Sequence, residues 1–312
     1  MRPVVWIPYE PKDLPALPDG LDCHYWDGTD TCPTPPEEVR FLTGFPGAGG
    51  YETLVAMVSR ARCLEVLQVL SSGHDYLAPH LGLLPPDALL RTGRGVHAEA
   101  TAELAVTLLL ASAGRIPRFV HGQRTGAWAP AGRLTLRGKR VVVVGAGAVG
   151  TAVARLLEPF GCDLVRVARS ARPGGDAPAV HAARELPSLL PAADAVVLCA
   201  PLTEETRGMF GAHRLASLKD GAILVNVGRG ELVDTDALTR EVSFGRLRAA
   251  LDVVAPEPLP GAHPLWRQPE ALITPHVGAF TDAFAEDSAA FLVRQLRRYV
   301  DGAPLLNAVA VG

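Results

Sequence analysis

The chain has 312 residues, more than one domain needs and enough for two. Hydrophobic residues make up 48% and charged residues 20%, so a full core can be buried; the net charge of −3 and the lack of basic runs give no electrostatic case for nucleic acid or an acidic membrane surface as partner. Five scattered cysteines (Cys23, Cys32, Cys63, Cys162, Cys199) include no C-x-x-C pair, which argues for reduced thiols and against a disulfide framework or a metal site. The opening MRPVVWIPYEPKD has too short an apolar run for a signal peptide. No stretch of about 18 apolar residues occurs, so a cytoplasmic protein without a membrane span is expected.

Short β-rich runs alternate with helical patterns from end to end, the sequence form of parallel α/β domains. Buried strands are predicted at Val4–Ile7, Phe41–Thr43 and Val66–Leu70, with a helix at Tyr51–Arg60 and Pro-rich ground at Leu84–Asp87. Glu99–Ser112, EATAELAVTLLLAS, reads as a helix so apolar that it is expected to lie between domains or against a partner chain. A second series starts at Arg140, with strands at Val141–Val144, Leu164–Ala168, Ala195–Leu198, Ala222–Asn226, Arg248–Leu251 and Leu272–Thr274. Arg169–Asp176 is a loop between elements. A last amphipathic helix, from about Asp282 to Tyr299, carries Arg294, Arg297 and Arg298 on its polar side.

Gly145, Gly147 and Gly150 form G-x-G-x-x-G directly after the strand Val141–Val144 and before the helical pattern Ala148–Leu157. In that context the first glycine makes a tight turn, the second lets backbone approach a pyrophosphate, and the third lets helix and strand pack closely. The pyrophosphate then sits on the free N–H groups of the helix N-terminus. Because the motif comes late, the first ~100 residues are expected to form a separate domain. Three polar residues stand at or beyond later strand ends: Arg229 in NVGRGELVD, Glu257 between two prolines in LDVVAPEPLP, and His276 in LITPHVG. Beside a nicotinamide they make a chemical set. Reduction of a 2-keto acid needs a cation for the carboxylate and keto oxygen, a proton donor near neutral pH, and a carboxylate that orients the imidazole and favours its protonated form.

The segments GAGAVG, APLTEETRGMF, NVGRGELVD, ALDVVAPEPLP, HPLW and ITPHVG occur in the order and spacing of the D-isomer-specific 2-hydroxyacid dehydrogenases. The resemblance extends to VLQVLSSGHDYL and to the ATAELAVTLLLA helix, and so covers nearly the whole chain. It implies two Rossmann-like or flavodoxin-like α/β domains with parallel sheets. The NAD(P)-binding domain, residues 100–276, is inserted into a discontinuous substrate domain, residues 1–99 and 277–312. It further implies that Arg229 binds the substrate carboxylate and carbonyl, that His276 gives the proton with Glu257 in support, and that Ser72, Gly73 and His74 hold the carboxylate through backbone N–H groups. Ala148, Val149, Ala200, Pro201, Thr206, Val227, Gly228, Asp252 and Gly278 fall near the cofactor. For Asp252 a role in orienting local backbone stands equally open.

Within the family, formate dehydrogenases carry Gln where Glu257 stands, and phosphite dehydrogenases carry Lys in the position of Ser72. The chain is therefore similar to the ordinary keto-acid reducers, nearest to glyoxylate and hydroxypyruvate reductases, with a D-2-hydroxy acid as the implied product. His74, Tyr76 and Trp266 are candidates for shaping the pocket. Trp128 falls in a segment that relatives use as a dimer arm, which implies a homodimer; a packed core aromatic stands equally open for it. A 3-phosphoglycerate dehydrogenase type of oxidoreductase and a nucleotide-sensing corepressor of the same fold stay open as alternatives. Where NAD enzymes of this fold place an acidic residue for the ribose 2′-hydroxyl, this chain has Ala168 followed by Arg169, Ser170 and Arg172. An Asp there would repel a 2′-phosphate, whereas alanine leaves room for one and the arginines add donors, so NADP(H) is expected over NAD(H).

Overall fold

The structure, a computed structural model, describes residues 2–44, 50–174 and 179–309. The chain divides into two compact units: residues up to His97 together with those from Asp282 onward, and Ala98–Thr281. These bounds differ by a few residues from the 99/100 and 276/277 divisions expected from sequence, for a local reason at each end. Ala98 already opens a helix of the second unit. Beyond His276, the N–H groups of Val277 and Gly278 donate to Asp252, and the Thr101 hydroxyl donates to the Gly278 carbonyl, so these residues stay with the second unit.

The first unit holds β1 (Val4–Ile7), β2 (Asp22–Tyr25), β3 (Val39–Gly44), α1 (Gly50–Arg60), β4 (Val66–Val69) and β5 (Leu89–Arg91). Its strands are all parallel in the order β2-β1-β3-β4-β5, the flavodoxin-like arrangement. Central strands are apolar throughout because both faces are covered. Trp6, Leu42 and Leu67 pack with Leu54, Met57 and Val58 of α1 on one face. Val5, Ile7, Phe41 and Val66 pack on the other face with Leu292 and Leu296 of the C-terminal helix, Phe284–Val300. β2 and β5 are absent from the sequence expectation. β2 is a partly exposed edge strand, DCHY, and β5 is only three residues long, so neither carries a run of buried apolar side chains. The outer edge of β5 is blunted by the tail: Ala308 bridges Arg91, the Val309 N–H donates to the Leu90 carbonyl, and the Asn307 amide donates to the carbonyls of Thr92 and Arg94.

The second unit comprises α2 (Ala98–Ala113), α3 (Ile116–Thr125), β6 (Arg140–Val144), α4 (Ala148–Leu157), β7 (Asp163–Ala168), β8 (Val180–Ala182), α5 (Leu186–Leu189), β9 (Ala195–Leu198), α6 (Ala212–Ala216), β10 (Ile223–Asn226), α7 (Thr235–Ser243), β11 (Arg248–Leu251) and β12 (Ala271–Ile273). All seven strands are parallel, in the order β12-β11-β10-β9-β6-β7-β8. Counted from β6, this is the dinucleotide-binding order with one strand added, and the order reverses between β6 and β9.

The apolar helix α2 lies on its own unit, where Ala102, Ala105 and Leu109 share a core with Val141, Val143 and Val225 of the sheet and with Val153 and Leu157 of α4. Its alanines allow the close approach. The opposite face is closed by Leu186, Phe210, Leu215, Leu238 and Val242 over Val142, Val144, Val196 and Leu224. Among the described residues, no helix is long and apolar enough to cross a membrane.

His97 stands where the chain leaves the first unit, and it is 6% exposed. Its ring stacks on Phe284 at 4.6 Å, and Nε2 lies 3.4 Å from the Ser288 hydroxyl. Burial pushes its pKa below the ordinary imidazole value, against upward pulls from the Leu70 carbonyl and Asp287. A buried neutral histidine stabilises the fold above the ordinary value of about 6.5 and withdraws that stabilisation as pH falls below it. Thermal unfolding should therefore show a midpoint that drops between pH 7 and pH 5, and the drop should be smaller for His97→Gln. Equal drops would remove His97 from the pH response.

Candidate active site

The turn after β6 has the geometry its glycines were expected to serve. Gly145 has φ +113°, and a Cβ on it would lie 2.7 Å from the Cys199 carbonyl, so only glycine fits between β6 and β9. A Cβ on Gly150 would fall 1.8 Å from the Gly145 carbonyl oxygen, which sets how closely α4 approaches the turn. Gly147 caps α4, and a Cβ there would meet only open space. Ala148 and Val149 open the helix, whose first turn carries no acidic residue. Its N-terminal N–H groups thus meet no local negative charge, and the residues present suit a pyrophosphate.

Across the strand-order reversal, Ala200 is buried and Pro201 exposed in the loop after β9. Thr206 ties that loop together, its hydroxyl donating to the Pro201 carbonyl at 2.7 Å and accepting the Thr203 N–H. Ala168, the last residue of β7, is half-buried, while Arg169, Ser170 and Arg172 beyond it are exposed. Arg172 is held by a two-bond antiparallel bridge to Val180, and its guanidinium lies 3.4 Å from the Ala146 carbonyl in the glycine turn. Arg169 is within electrostatic reach of Glu205, whose carboxyl is held low first by the Thr203 hydroxyl and in small part by that arginine. Of the loop expected at Arg169–Asp176, residues 175 and 176 lie outside the described residues.

Arg229 follows β10 in extended conformation. Its loop is wedged between neighbours: a Cβ on Gly228 would sit 2.8 Å from the Ala200 carbonyl oxygen, and one on Gly230 would sit 1.9 Å from that of Val254. Val227 is buried, and Arg229 itself is half-buried, with its guanidinium donating to the Gly228 carbonyl at 2.7 Å.

Glu257 and His276 meet directly, with Oε1 2.6 Å from Nδ1. Their side chains remain 41% and 46% exposed, so the pair is open to a reactant rather than sealed in the core. With Nδ1 committed to the carboxylate, Nε2 is the nitrogen that can hand over a proton. His276 has φ +53°, a left-handed conformation that costs a non-glycine residue of order 1–3 kcal/mol. What holds it there is Asp252, 3% exposed at the end of β11. The Asp252 carbonyl accepts the His276 N–H, Oδ1 accepts the Thr274 hydroxyl and the Val277 N–H, and Oδ2 accepts the Gly278 N–H. The backbone-orienting role left open for Asp252 is the one these bonds describe. Gly278 is kept small by the same carboxylate, 3.0 Å from where its Cβ would be.

All of these residues except those of the Ser72 loop stand at or beyond carboxyl ends of strands in the second unit, the edge where open parallel sheets bind ligands. Ser72, Gly73 and His74 lie in the first unit after β4. There the Ser71 hydroxyl donates to the Gly73 carbonyl at 2.8 Å and lies 3.2 Å from the Tyr76 hydroxyl, while Tyr76 stacks on Tyr51 at 4.0 Å. Trp266 is 48% exposed, with its indole N–H on the Pro260 carbonyl. Ser71, Thr274 and the side chain of Asn226 are the polar groups the sequence expectation lacks. A polar residue closing an otherwise apolar strand, as in ILVN, was the available signal for Asn226.

The model of the NAD-binding domain of D-isomer specific 2-hydroxyacid dehydrogenases matches residues 106–278. A human glyoxylate reductase/hydroxypyruvate reductase is 30% identical, over 93% of this chain and 92% of that protein. A glyoxylate reductase of Aeropyrum pernix is 32% identical, over 90% and 88%. The crystal structure of a D-isomer specific 2-hydroxyacid dehydrogenase from Xanthobacter autotrophicus, in complex with NADPH and MES, superposes with a TM-score of 0.80 at 31% identity, covering 99% of this chain and 98% of that one. Motif order, two-sheet architecture and near full-length relatives agree: the chain belongs to the D-isomer specific 2-hydroxyacid dehydrogenase family.

Proposed function

We propose that this chain reduces a small 2-keto acid of the glyoxylate or hydroxypyruvate kind to the D-2-hydroxy acid, with NADPH as the preferred reductant. The observation that carries the reading is the 2.6 Å Glu257–His276 contact through Nδ1 at the strand edge that also presents Arg229. The reductase names of full-length relatives favour it over a phosphoglycerate-type dehydrogenase and over a corepressor. When bound, the nicotinamide supplies the hydride. Arg229 pairs with the substrate carboxylate and draws charge onto the keto oxygen, and a planar guanidinium serves both contacts. His276 gives its Nε2 proton to that oxygen, and Glu257 fixes the ring and offsets the charge of the imidazolium. A cytoplasmic homodimer fits the free thiols and the apolar side chains exposed along α3 and after it, Ile116, Val120 and Trp128, the last 97% exposed.

A panel of 2-keto acids assayed with both reduced cofactors tests this reading. Glyoxylate and hydroxypyruvate should turn over, with reduced cofactor consumed as the hydroxy acid forms. His276→Asn should lower kcat by at least ~100-fold, the usual size of a lost general acid. A variant with near-normal kcat would remove His276 from the chemistry.

The preference for NADPH follows from Ala168 and Arg172. Alanine at the strand end leaves room for a 2′-phosphate, and Arg172 is anchored beside the glycine turn, with Arg169 exposed nearby. Charge-assisted contacts of this kind support a preference of at least ~10-fold in kcat/KM. The gap should narrow as salt rises. Ala168→Asp should reverse the preference by adding a ribose acceptor and a repulsive charge together. Equal or better use of NADH by the unmodified protein would show that the loop meets no phosphate.

A further inference from the structure

Asn226 ends β10 with 1% of its surface exposed, in a strand whose other residues are Ile223, Leu224 and Val225. An aliphatic side chain would continue that core, and a buried amide is tolerated only when its hydrogen bonds are made. Those bonds go to a single place, the loop that follows. Nδ2 donates to the Arg229 carbonyl at 2.9 Å, and Oδ1 accepts the Gly228 N–H at 3.1 Å. The Gly228 carbonyl in turn receives the Arg229 guanidinium at 2.7 Å.

Packing and hydrogen bonding divide the task. The contacts of Gly228 with Ala200 and of Gly230 with Val254 fix where the loop runs. They do not fix which way its peptide groups face, because a peptide can rotate with little displacement of the chain. Orientation is supplied by Asn226, which grips the peptide before Gly228 by its N–H and the peptide after Arg229 by its carbonyl, where the Leu232 N–H adds a longer bond at 3.2 Å. The peptide that carries the Gly228 carbonyl lies between those two, so loosening both neighbours lets it turn, and the guanidinium bonded to it turns as well.

We propose that Asn226 is the positioning residue for Arg229: it sets the peptide orientation that aims the guanidinium at the keto acid, and it acts on turnover through Arg229 alone. The proposal rests on the role given to Arg229 in the function proposed above.

The test is a double-mutant cycle on the full chain, with glyoxylate and NADPH. Arg229→Lys should impair both kcat and KM, since lysine lacks the planar fork. Asn226→Ala should lower kcat/KM for glyoxylate by about 10- to 100-fold, the scale of a misplaced catalytic group. The dissociation constant for NADPH, read by fluorescence without keto acid, should stay within about threefold of the unmodified protein, because no cofactor contact is assigned to Asn226. In the Arg229→Lys background the same substitution should cost less than about threefold, since the group it positions is gone. Should Asn226→Ala fail to fold, Asn226→Asp has the same size, keeps the acceptor for Gly228 and sets a carboxylate oxygen against the Arg229 carbonyl; it should show the same pattern. An undiminished penalty in the Arg229→Lys background, or a loss of NADPH affinity as large as the loss of kcat/KM, would overturn the proposal. Absence of turnover by the unmodified chain would be seen before any variant is made, and would bring down the proposed function and this inference together.

Discussion

The buried carboxylate of Asp252 is the constraint on which the site depends. At 3% exposure it has no water to turn to, and it accepts the Thr274 hydroxyl and the N–H groups of Val277 and Gly278. Hydrogen bonds to a charged group contribute about 1.5–3 kcal/mol each, more than enough together to offset the left-handed backbone of His276. A histidine in that conformation, one turn past a strand end, meets Glu257 on the neighbouring loop. Asn226 on the adjacent strand makes the corresponding bonds to the Arg229 loop. Two polar residues that the core would not choose thus stand at the ends of neighbouring strands, each bonded to a loop that carries chemistry.

The sheet explains why such loops converge. Parallel strands place all their carboxyl ends on one edge, and the order of the second unit reverses between β6 and β9, the point at which open α/β sheets bind ligands. The tight fits at Gly145, Gly150, Gly228 and Gly230 belong to the same design. At each, backbone from a neighbouring element occupies the space a side chain would need.

Much of this was legible in the sequence, and the parts that were not have physical reasons. Central strands such as VVVV, AVVL and ILV announce themselves because both faces are buried. β2, β5 and β8 lie at or near sheet edges, are three or four residues long and carry mixed side chains, so no period marks them. The short helix α6 offers too few turns for a pattern, and α7 is marked mainly by its cap, Asp234, whose carboxylate takes the Ala237 N–H. An all-round apolar helix such as α2 has no side that says what covers it, and the packing of α4 and the sheet against it shows only in three dimensions. Arg229, Glu257 and His276 were visible as polar residues among apolar neighbours. The contact between Glu257 and His276 spans 19 positions and no local rule gives it. Asp252 was named from sequence, but its bonds to Thr274, Val277 and Gly278 were not, and Asn226, marked only as the polar end of ILVN, has backbone partners that carry no sequence signature.

The central claim is that Arg229 and His276 present a 2-keto acid to a nicotinamide in one orientation only, so that the hydride reaches one face of the carbonyl. The most direct measurement is chiral chromatography of the glycerate formed from hydroxypyruvate and NADPH by the unmodified protein. The account predicts D-glycerate as the product; L-glycerate, a racemate, or no glycerate at all would contradict it.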